Sequence, residues 1–177
     1  AFKGETCVLE QKLHLDYEVS VVLARDERGA TRCFPTAENI HRKGILDISI
    51  APARASACTA DSAQEVAERI ADKLGYIGTL GVEFFVSRGQ LYVNEMAPRP
   101  HNSGHYTLDA CVTDQFEQQV RALCGLPLGE ARAHSAADRL LANSRHALDA
   151  ADPVSMRWRD VQAGRRLADA LLLGRPC

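Results

Sequence analysis

Residues 78–86, GTLGVEFFV, and residues 91–96, LYVNEM, form the most informative part of the sequence. Both stretches are rich in β-branched and aromatic residues, which favour strands. A short polar connection, SRGQ at residues 87–90, joins them and contains a glycine. The pattern therefore predicts a β-hairpin, which is followed by a dense polar segment at residues 98–105 (PRPHNSGH).

Each predicted strand of the hairpin carries a glutamate, Glu83 in an apolar run and Glu95 near the end of the second strand. A buried carboxylate is costly, and two neighbouring carboxylates repel unless a cation lies between them. A divalent cation such as Mg²⁺ resolves both problems. Direct opposition of the two glutamates requires a three-residue loop (88–90), whereas a two-residue turn (88–89) places Glu83 opposite Asn94. The alternative is one surface glutamate and one salt-bridged glutamate.

The polar segment after the hairpin predicts an anion site beside the metal site. Arg99 offers a planar guanidinium suited to bicarbonate, carboxylate or phosphate. His101, Asn102 and His105 follow closely, at a strand end where functional loops commonly lie. Taken singly, each histidine is more typical of a structural hydrogen-bonding residue, so the prediction rests on the cluster.

The rest of the pattern predicts an α+β fold. Strands are predicted over 6–11, 18–24, 31–34 and 44–50, the last ended by Pro52. One helix is predicted behind a capping box at residues 62–65 (SAQE) and closed by Gly75. A second helix is predicted over about 113–124, with its apolar face formed by Phe116, Val120 and Leu123.

A shift in composition near residue 129 predicts a boundary between residues 1–128 and a segment at 129–177. The last 49 residues hold eleven Ala and eight Arg but no Phe, Tyr, Ile or Lys. This segment is expected to be divergent or poorly ordered. Its bias fits either a divergent domain or out-of-frame translation of GC-rich DNA.

Composition excludes several classes of protein. The 177 residues are 46% hydrophobic and 25% charged, with a net charge of −2, which argues against non-specific nucleic-acid binding. No apolar run is long enough for a membrane span, and the first residues do not form a secretory signal, so we expect a cytoplasmic protein. Six cysteines without a Cys-x-x-Cys pair predict neither a zinc site nor a disulfide framework.

Glu83 and Glu95, twelve residues apart on successive strands, resemble the magnesium-binding pair of the ATP-grasp superfamily. Residues 94–105, NEMAPRPHNSGH, resemble the signature of the N5-carboxyaminoimidazole ribonucleotide synthase family, whose members catalyse an ATP-dependent carboxylation in purine biosynthesis. The resemblance runs through about residues 6–129 and implies the C-terminal part of an ATP-grasp domain, an antiparallel sheet with packed helices. The formate-dependent glycinamide ribonucleotide transformylase has Asp-Thr-Gly-Met where this chain has NSGH.

The resemblance implies roles for particular residues. Glu83 and Glu95 would hold Mg²⁺, or Mn²⁺ in its place. Arg99 would be catalytic and bind bicarbonate or carboxyphosphate, while His101 and Asn102 would bind the imidazole ribonucleotide. The residues implied for ATP are Glu10, Gln11, Lys12, Leu13, Glu18, His41, Asn94 and Glu95.

The implied reaction consumes ATP and bicarbonate and carboxylates 5-aminoimidazole ribonucleotide through carboxyphosphate, in de novo purine (IMP) synthesis. Members of that family have an N-terminal domain and a first ATP-grasp subdomain, and are usually homodimers. This chain resembles about the C-terminal half, so weak nucleotide binding and poor catalysis are expected of it alone. The alternatives are another ATP-grasp carboxylase or transformylase, or a non-catalytic nucleotide-binding fragment.

Overall fold

The computed structural model describes residues 7–134 and 140–143 of the chain. Its strands are β1 (Tyr17–Arg25), β2 (Thr31–Cys33), β3 (Ala37–Arg42), β4 (Ile45–Ala51), β5 (Gly78–Ser87), β6 (Gln90–Ala97) and β7 (Leu140–Asn143). Its helices are α1 (Ala57–Lys73), α2 (Thr107–Ala110) and α3 (Gln115–Leu123), with a 3₁₀ turn at Asn102–Gly104. The predicted α+β class is confirmed.

The strands form one sheet in the order β6-β5-β1-β3-β4-β7, and β2 pairs with β1 beside this path. The pairings are antiparallel throughout the described strands. No helix in the described residues has the length and apolar character needed to cross a membrane.

The main core lies between α1 and one face of the central strands. Val19, Val21 and Leu23 of β1 point to this face, as do alternate residues of β5. Helix α1 covers them with small side chains and Ile70, which is completely buried. The small residues allow a close approach of helix to sheet, so this side of the sheet is closed by apolar packing.

The hairpin has the two-residue turn of one predicted arrangement and the Glu83–Glu95 pairing of the other. Ser87 pairs with Gln90, so the turn has two residues, Arg88 and Gly89, both with positive φ. Glu83 nevertheless lies opposite Glu95, because a β-bulge shifts the register between Glu83 and Phe84. The rule that a two-residue turn places Glu83 opposite Asn94 is therefore wrong here.

Helix α1 begins earlier than its predicted capping box. Ser56 is the N-cap, and its hydroxyl oxygen accepts a hydrogen bond of 3.1 Å from the Thr59 N–H. Ser62 and Glu65 therefore lie inside the helix. Gly75 follows its last turn with a positive φ, as predicted.

The apolar face predicted for α3 lies outside the core. Phe116, Val120 and Leu123 are exposed, whereas Gln115 and Gln118 are completely buried. Asp114 caps the helix through hydrogen bonds from the N–H groups of residues 116 and 117. The apolar spacing identified the helix correctly but not the side that packs, because polar amides make the inward contacts.

Two further strand predictions are wrong. Residues 7–15 form no regular secondary structure, and residue 6 lies outside the described residues. Strand β3 (AENIHR) was missed because its sequence lacks an apolar alternation, yet it pairs with β1 and β4 on either side. Its formation is thus a consequence of its neighbours rather than of its own propensity.

Part of the predicted C-terminal segment is described. Thr113 N–H donates to Glu130 O and Val112 N–H to Arg132 O, so residues 130–132 run beside the chain before α3. Residues 135–139 and 144–177 lie outside the described residues. The domain boundary at 128/129 stays a prediction.

Ile70→Ala should destabilise the chain by about 2–5 kcal/mol, because it opens a cavity between α1 and the sheet. Leu123→Ala should change the unfolding free energy by only about 0.5 kcal/mol, because Leu123 is 62% exposed. Urea unfolding followed by circular dichroism measures both. Equal losses would contradict the orientation of α3 described above.

Candidate functional site

The side of the sheet opposite α1 carries a polar face, formed by Glu18, Ser20, Asn39, Glu83 and Glu95. The register places Ser20 opposite Glu83, Glu83 opposite Glu95, and Glu18 opposite Asn39. Residues paired across antiparallel strands, and residues two apart along one strand, share a face. Four strands thus deliver these polar side chains to one region.

The polar segment after β6 brings His101 onto this face. His101 lies against Gly81, where an added Cβ would be 2.7 Å from the His101 Cβ. The imidazole Nε2 lies 3.7 Å from Glu83 Oε1. The absence of a side chain at residue 81 therefore makes room for the histidine above the sheet.

Glu83, Glu95 and His101 can offer one ligand atom each within 4.8 Å of one another. Glu83 and His101 are buried, and Glu95 is exposed, so the group opens to solvent on one side. Carboxylate oxygens suit Mg²⁺ and Mn²⁺, and an imidazole nitrogen suits Mn²⁺ better than Mg²⁺. The donor set therefore fits the predicted cation.

Electrostatics supports this fit. Burial, and to a smaller extent the charges of Glu95 and Glu18, together raise the pKa of Glu83 to about 7. A divalent cation beside Glu83 reverses this effect, because it favours the charged carboxylate. The polar face thus holds negative charge that is costly until a cation binds.

His101 is neutral at physiological pH. Burial lowers its pKa to about 4, and the positive charges of Arg99, His105 and His41 contribute. Its Nδ1 lies 2.9 Å from Ser103 Oγ. When Nδ1–H donates to that oxygen, Nε2 carries the lone pair that a cation requires; in the other tautomer, Nε2–H faces Glu83.

Glu18 and His41 form a second pair on the polar side. His41 Nδ1 lies 2.8 Å from Glu18 Oε2, although without the alignment of a hydrogen bond. His41 lies on β3, and Glu18 lies on the neighbouring strand β1. The structure thus brings together two of the eight residues predicted for the nucleotide, on the neighbouring strands β1 and β3.

Ser20 and Asn39 are site residues that the sequence analysis missed. Both are at least 95% buried on the polar face, and neither Ser20 Oγ nor Asn39 Nδ2 has a hydrogen-bond partner within the described residues. Asn39 Oδ1 accepts a bond of 3.1 Å from Ser49 Oγ. The alternation in EVSVV, with Ser20 two residues after Glu18, was a signal for Ser20.

The group of possible metal ligands does not include the other residues predicted for the nucleotide. Glu10, Gln11, Lys12 and Leu13 belong to the irregular segment before β1, and the group of possible metal ligands does not include them. Asn94 is the bulged residue between Val93 and Glu95 and is half-buried.

Arg99 and Asn102 are exposed beside His101. Arg99 Nη1 donates to Pro100 O at 2.8 Å, within its own loop. His105 stacks on Phe116, with ring centroids 6.0 Å apart. Of the predicted anion-binding residues, Arg99 and Asn102 are therefore accessible to a ligand from solvent.

Glu83→Gln should stabilise the metal-free chain at pH 8 but not at pH 5. Between the ordinary pKa of 4.5 and the folded value of about 7, the folded state keeps a proton that the unfolded chain releases. The free energy of unfolding of the wild type therefore falls as pH rises through this window. Glutamine has no carboxyl group to deprotonate, so the unfolding free energy of Glu83→Gln should exceed that of the wild type by an amount that grows with pH to at most about 3 kcal/mol.

Urea unfolding in the presence of a chelator measures this difference. Glu65→Gln, on the exposed side of α1, is the matched control and should show no such pH dependence. A difference between Glu83→Gln and the wild type that stays constant from pH 5 to pH 8 would show that Glu83 is not strained by its surroundings.

Comparison with known proteins agrees with the geometry. A family model for the ATP-grasp domain matches residues 1–116. The N5-carboxyaminoimidazole ribonucleotide synthase of Bacillus subtilis is 52% identical over 126 residues, which cover 71% of this chain and 33% of that protein. The chain thus spans about a third of that relative's length.

Solved structures give the same result. An ADP complex of an N5-carboxyaminoimidazole ribonucleotide synthetase superposes with a TM-score of 0.69 and 50% identity, over 70% of this chain and 33% of that one. The Aspergillus clavatus synthase in complex with ADP and 5-aminoimidazole ribonucleotide superposes with a TM-score of 0.64 and 29% identity, over 70% of this chain and 34% of that one. The predicted resemblance is confirmed, and the chain belongs to the ATP-grasp family.

Proposed function

We propose that this chain provides the metal-binding part of an enzyme that carboxylates 5-aminoimidazole ribonucleotide to N5-carboxyaminoimidazole ribonucleotide. The reaction consumes ATP and bicarbonate, passes through carboxyphosphate and belongs to IMP synthesis. The observation that carries the proposal is the convergence of Glu83, Glu95 and His101 on one face, beside the exposed Arg99.

Glu83 and Glu95 would hold Mg²⁺, or Mn²⁺, with Asn94 next to them in the bulge. The cation would neutralise charge on the ATP phosphates during phosphoryl transfer. The two carboxylates face each other across the hairpin and are positioned before any ligand arrives. Such preorganisation lowers the cost of assembling the site.

The nucleotide would lie along the polar face towards β3. Glu18 is proposed to bind the ribose, since a carboxylate can accept hydrogen bonds from its hydroxyls. His41 orients Glu18 through their close contact and borders the same region. The backbone and side chains of Glu10, Gln11, Lys12 and Leu13 are proposed to hold the adenine.

Arg99 is proposed as the catalytic residue that steadies bicarbonate and then carboxyphosphate. Its exposed guanidinium has the planar geometry for a bidentate contact with such anions. His101 and Asn102 are proposed to bind the imidazole ribonucleotide. Because His101 is neutral, it can hydrogen-bond the substrate without repelling the cation.

The whole reaction needs more protein than the matched residues. Because these residues cover about a third of the relatives, we propose that the complete enzyme adds the rest of the ATP-grasp site, in the same chain or from a partner. Cytoplasmic location and a homodimer belong to the same proposal.

This chain alone should bind Mn²⁺·ADP weakly, and Glu83→Gln/Glu95→Gln should abolish the metal-dependent part of the binding. The matched control is Asp61→Asn/Glu65→Gln, which removes the same charge from exposed positions on α1. Isothermal titration calorimetry with and without Mn²⁺ measures the difference. Metal-independent binding, or equal loss in both double variants, would contradict the proposed metal site.

Catalysis can be tested in a chimera in which this chain's matched residues replace those of the Bacillus subtilis synthase. We expect ATP hydrolysis that requires both bicarbonate and 5-aminoimidazole ribonucleotide. Arg99→Lys in the chimera should lower the rate about 100-fold, because lysine cannot make the bidentate contact to the oxyanion. Arg88→Lys, at the hairpin turn, should leave the rate unchanged.

If the chimera instead acts on glycinamide ribonucleotide, this result would favour the alternative that the protein is a transformylase. ATP binding by a folded chimera without turnover would favour a non-catalytic nucleotide-binding role. Either result would replace the proposed reaction while leaving the ATP-grasp assignment in place.

A further inference from the structure

The inward face of α3 consists mainly of glutamines that bind backbone groups, with the small side chain of Ala122 beside them. The Gln118 amide donates to Gly129 O at 2.8 Å and accepts from Gly129 N–H at 3.0 Å. Gln119 Oε1 accepts from Thr79 N–H. Gln115, nearest the helix N-terminus, makes the corresponding pair of bonds to His101.

Gln115 holds both backbone groups of His101. Its Oε1 accepts a hydrogen bond of 2.8 Å from the His101 N–H, and its Nε2 donates one of 2.9 Å to the His101 carbonyl oxygen. The side chain is itself completely buried. A primary amide supplies one acceptor and two donors, so it can satisfy both groups at once.

Neighbouring contacts fix Gln115 in turn. Its own N–H donates to Thr107 Oγ1 at 3.1 Å, and Thr107 Oγ1 donates to Gly104 O at 2.7 Å. A Cβ added at Gly104 would lie 2.5 Å from Gln115 Oε1, so no larger residue fits there without displacement. The amide thus has little freedom to move away from His101.

We propose that Gln115 is a positioning residue for the functional site. It sets the backbone of His101 and thereby places the imidazole between Gly81 and Glu83. The functional consequence of this inference rests on the proposed function, since His101 is one of the three residues that could hold the cation. It goes beyond that function by assigning the geometry of His101 to a residue that does not itself reach the group of possible ligands.

The alternative is that Gln115 only stabilises the fold, as Gln118 does at Gly129. Gln118 is an ideal comparison because it has the same residue type, helix, burial and pair of backbone bonds. Gln115→Met and Gln118→Met each remove one amide while nearly preserving volume. Both variants should lose similar stability, but only the first should alter the site.

Amide hydrogen exchange followed by NMR tests the contact without any ligand. In the wild type the His101 N–H should exchange slowly, and in Gln115→Met it should exchange at least about tenfold faster. Gln118→Met should leave the His101 N–H protected while exposing that of Gly129. Equal protection of His101 in the wild type and Gln115→Met would overturn the proposal.

Mn²⁺ binding in the presence of ADP tests the consequence. Gln115→Met should weaken Mn²⁺ binding about tenfold, the usual size of effect for a residue that orients a metal-site side chain. Gln118→Met should bind Mn²⁺ as the wild type does. Equal affinity of Gln115→Met and the wild type would reduce Gln115 to a structural role and overturn the proposal.

Gln115→Glu supplies a rescue that a purely structural role does not predict. A protonated carboxyl both donates and accepts, so it can replace the amide, whereas a carboxylate repels the His101 carbonyl oxygen. The Mn²⁺ affinity of Gln115→Glu, divided by that of the wild type at the same pH, should fall as pH rises. The same ratio for Gln115→Met should stay constant, and parallel profiles for the two variants would overturn the proposal.

The two proposals fail in different ways. If the folded wild type does not bind Mn²⁺, the proposed function of the site is contradicted and the positioning role falls with it. In that case the exchange of the His101 N–H still shows whether Gln115 holds the loop. If the wild type binds Mn²⁺ and Gln115→Met binds equally well, only the positioning role is lost.

Discussion

The juxtaposition of two carboxylates on adjacent strands is the constraint around which the site is arranged. Glu83 and Glu95 oppose each other because the bulge at Asn94 restores the register that the tight turn would otherwise break. Without the bulge, Glu95 would point to the side of α1 and its apolar core. One extra residue therefore decides whether both glutamates lie on the face where a cation could bind, or whether Glu95 places a charge in the apolar core.

The two faces of the sheet differ in role: one packs against the core, and the other carries the polar site residues. On one side, α1 packs tightly through alanines and Ile70 and makes the strands rigid. On the other, the segment after β6 and helix α3 cover only part of the polar face. Side chains on rigid strands keep their geometry better than side chains on loops, and Arg99, His101 and Asn102 come from the loop after β6. Among the glutamines of α3, Gln115 hydrogen-bonds that loop through the backbone of His101, whereas Gln118 and Gln119 bind Gly129 and Thr79.

The sequence predicted the hairpin, the class of fold and the pair of Glu83 and Glu95 as cation ligands, whereas it predicted His101 to bind the ribonucleotide. It did so because Glu83 in an apolar strand and the NEMAPRPHNSGH segment are strong local signals. It failed where tertiary contacts override local pattern. Strand β3 forms because β1 and β4 pair with it, and α3 turns its apolar residues outward because its amides find backbone partners inside.

The turn prediction failed for a different reason. Counting outward from the turn residues Arg88 and Gly89 gives the correct strand pairing only when the two strands pair without a bulge. The residue types in NEMA (94–97) do not indicate a bulge. Likewise, Ser56 and Ser62 are equally good N-cap residues by type, and only the fold selects between them. Such choices between equivalent local solutions require knowledge of what packs nearby.

The charges around Glu83 show why a cation and a phosphate ligand belong together at this site. Within the described residues, the ion-pair contact of Glu83 is to His101, which is neutral at physiological pH because burial lowers its pKa to about 4. Ser20, which lies opposite Glu83, is uncharged, and the carboxylates of Glu95 and Glu18 raise the pKa of Glu83. Negative charge on the two glutamates is therefore costly. A divalent cation would reduce this cost, and its remaining charge would attract phosphate, so metal and nucleotide should bind with positive cooperativity.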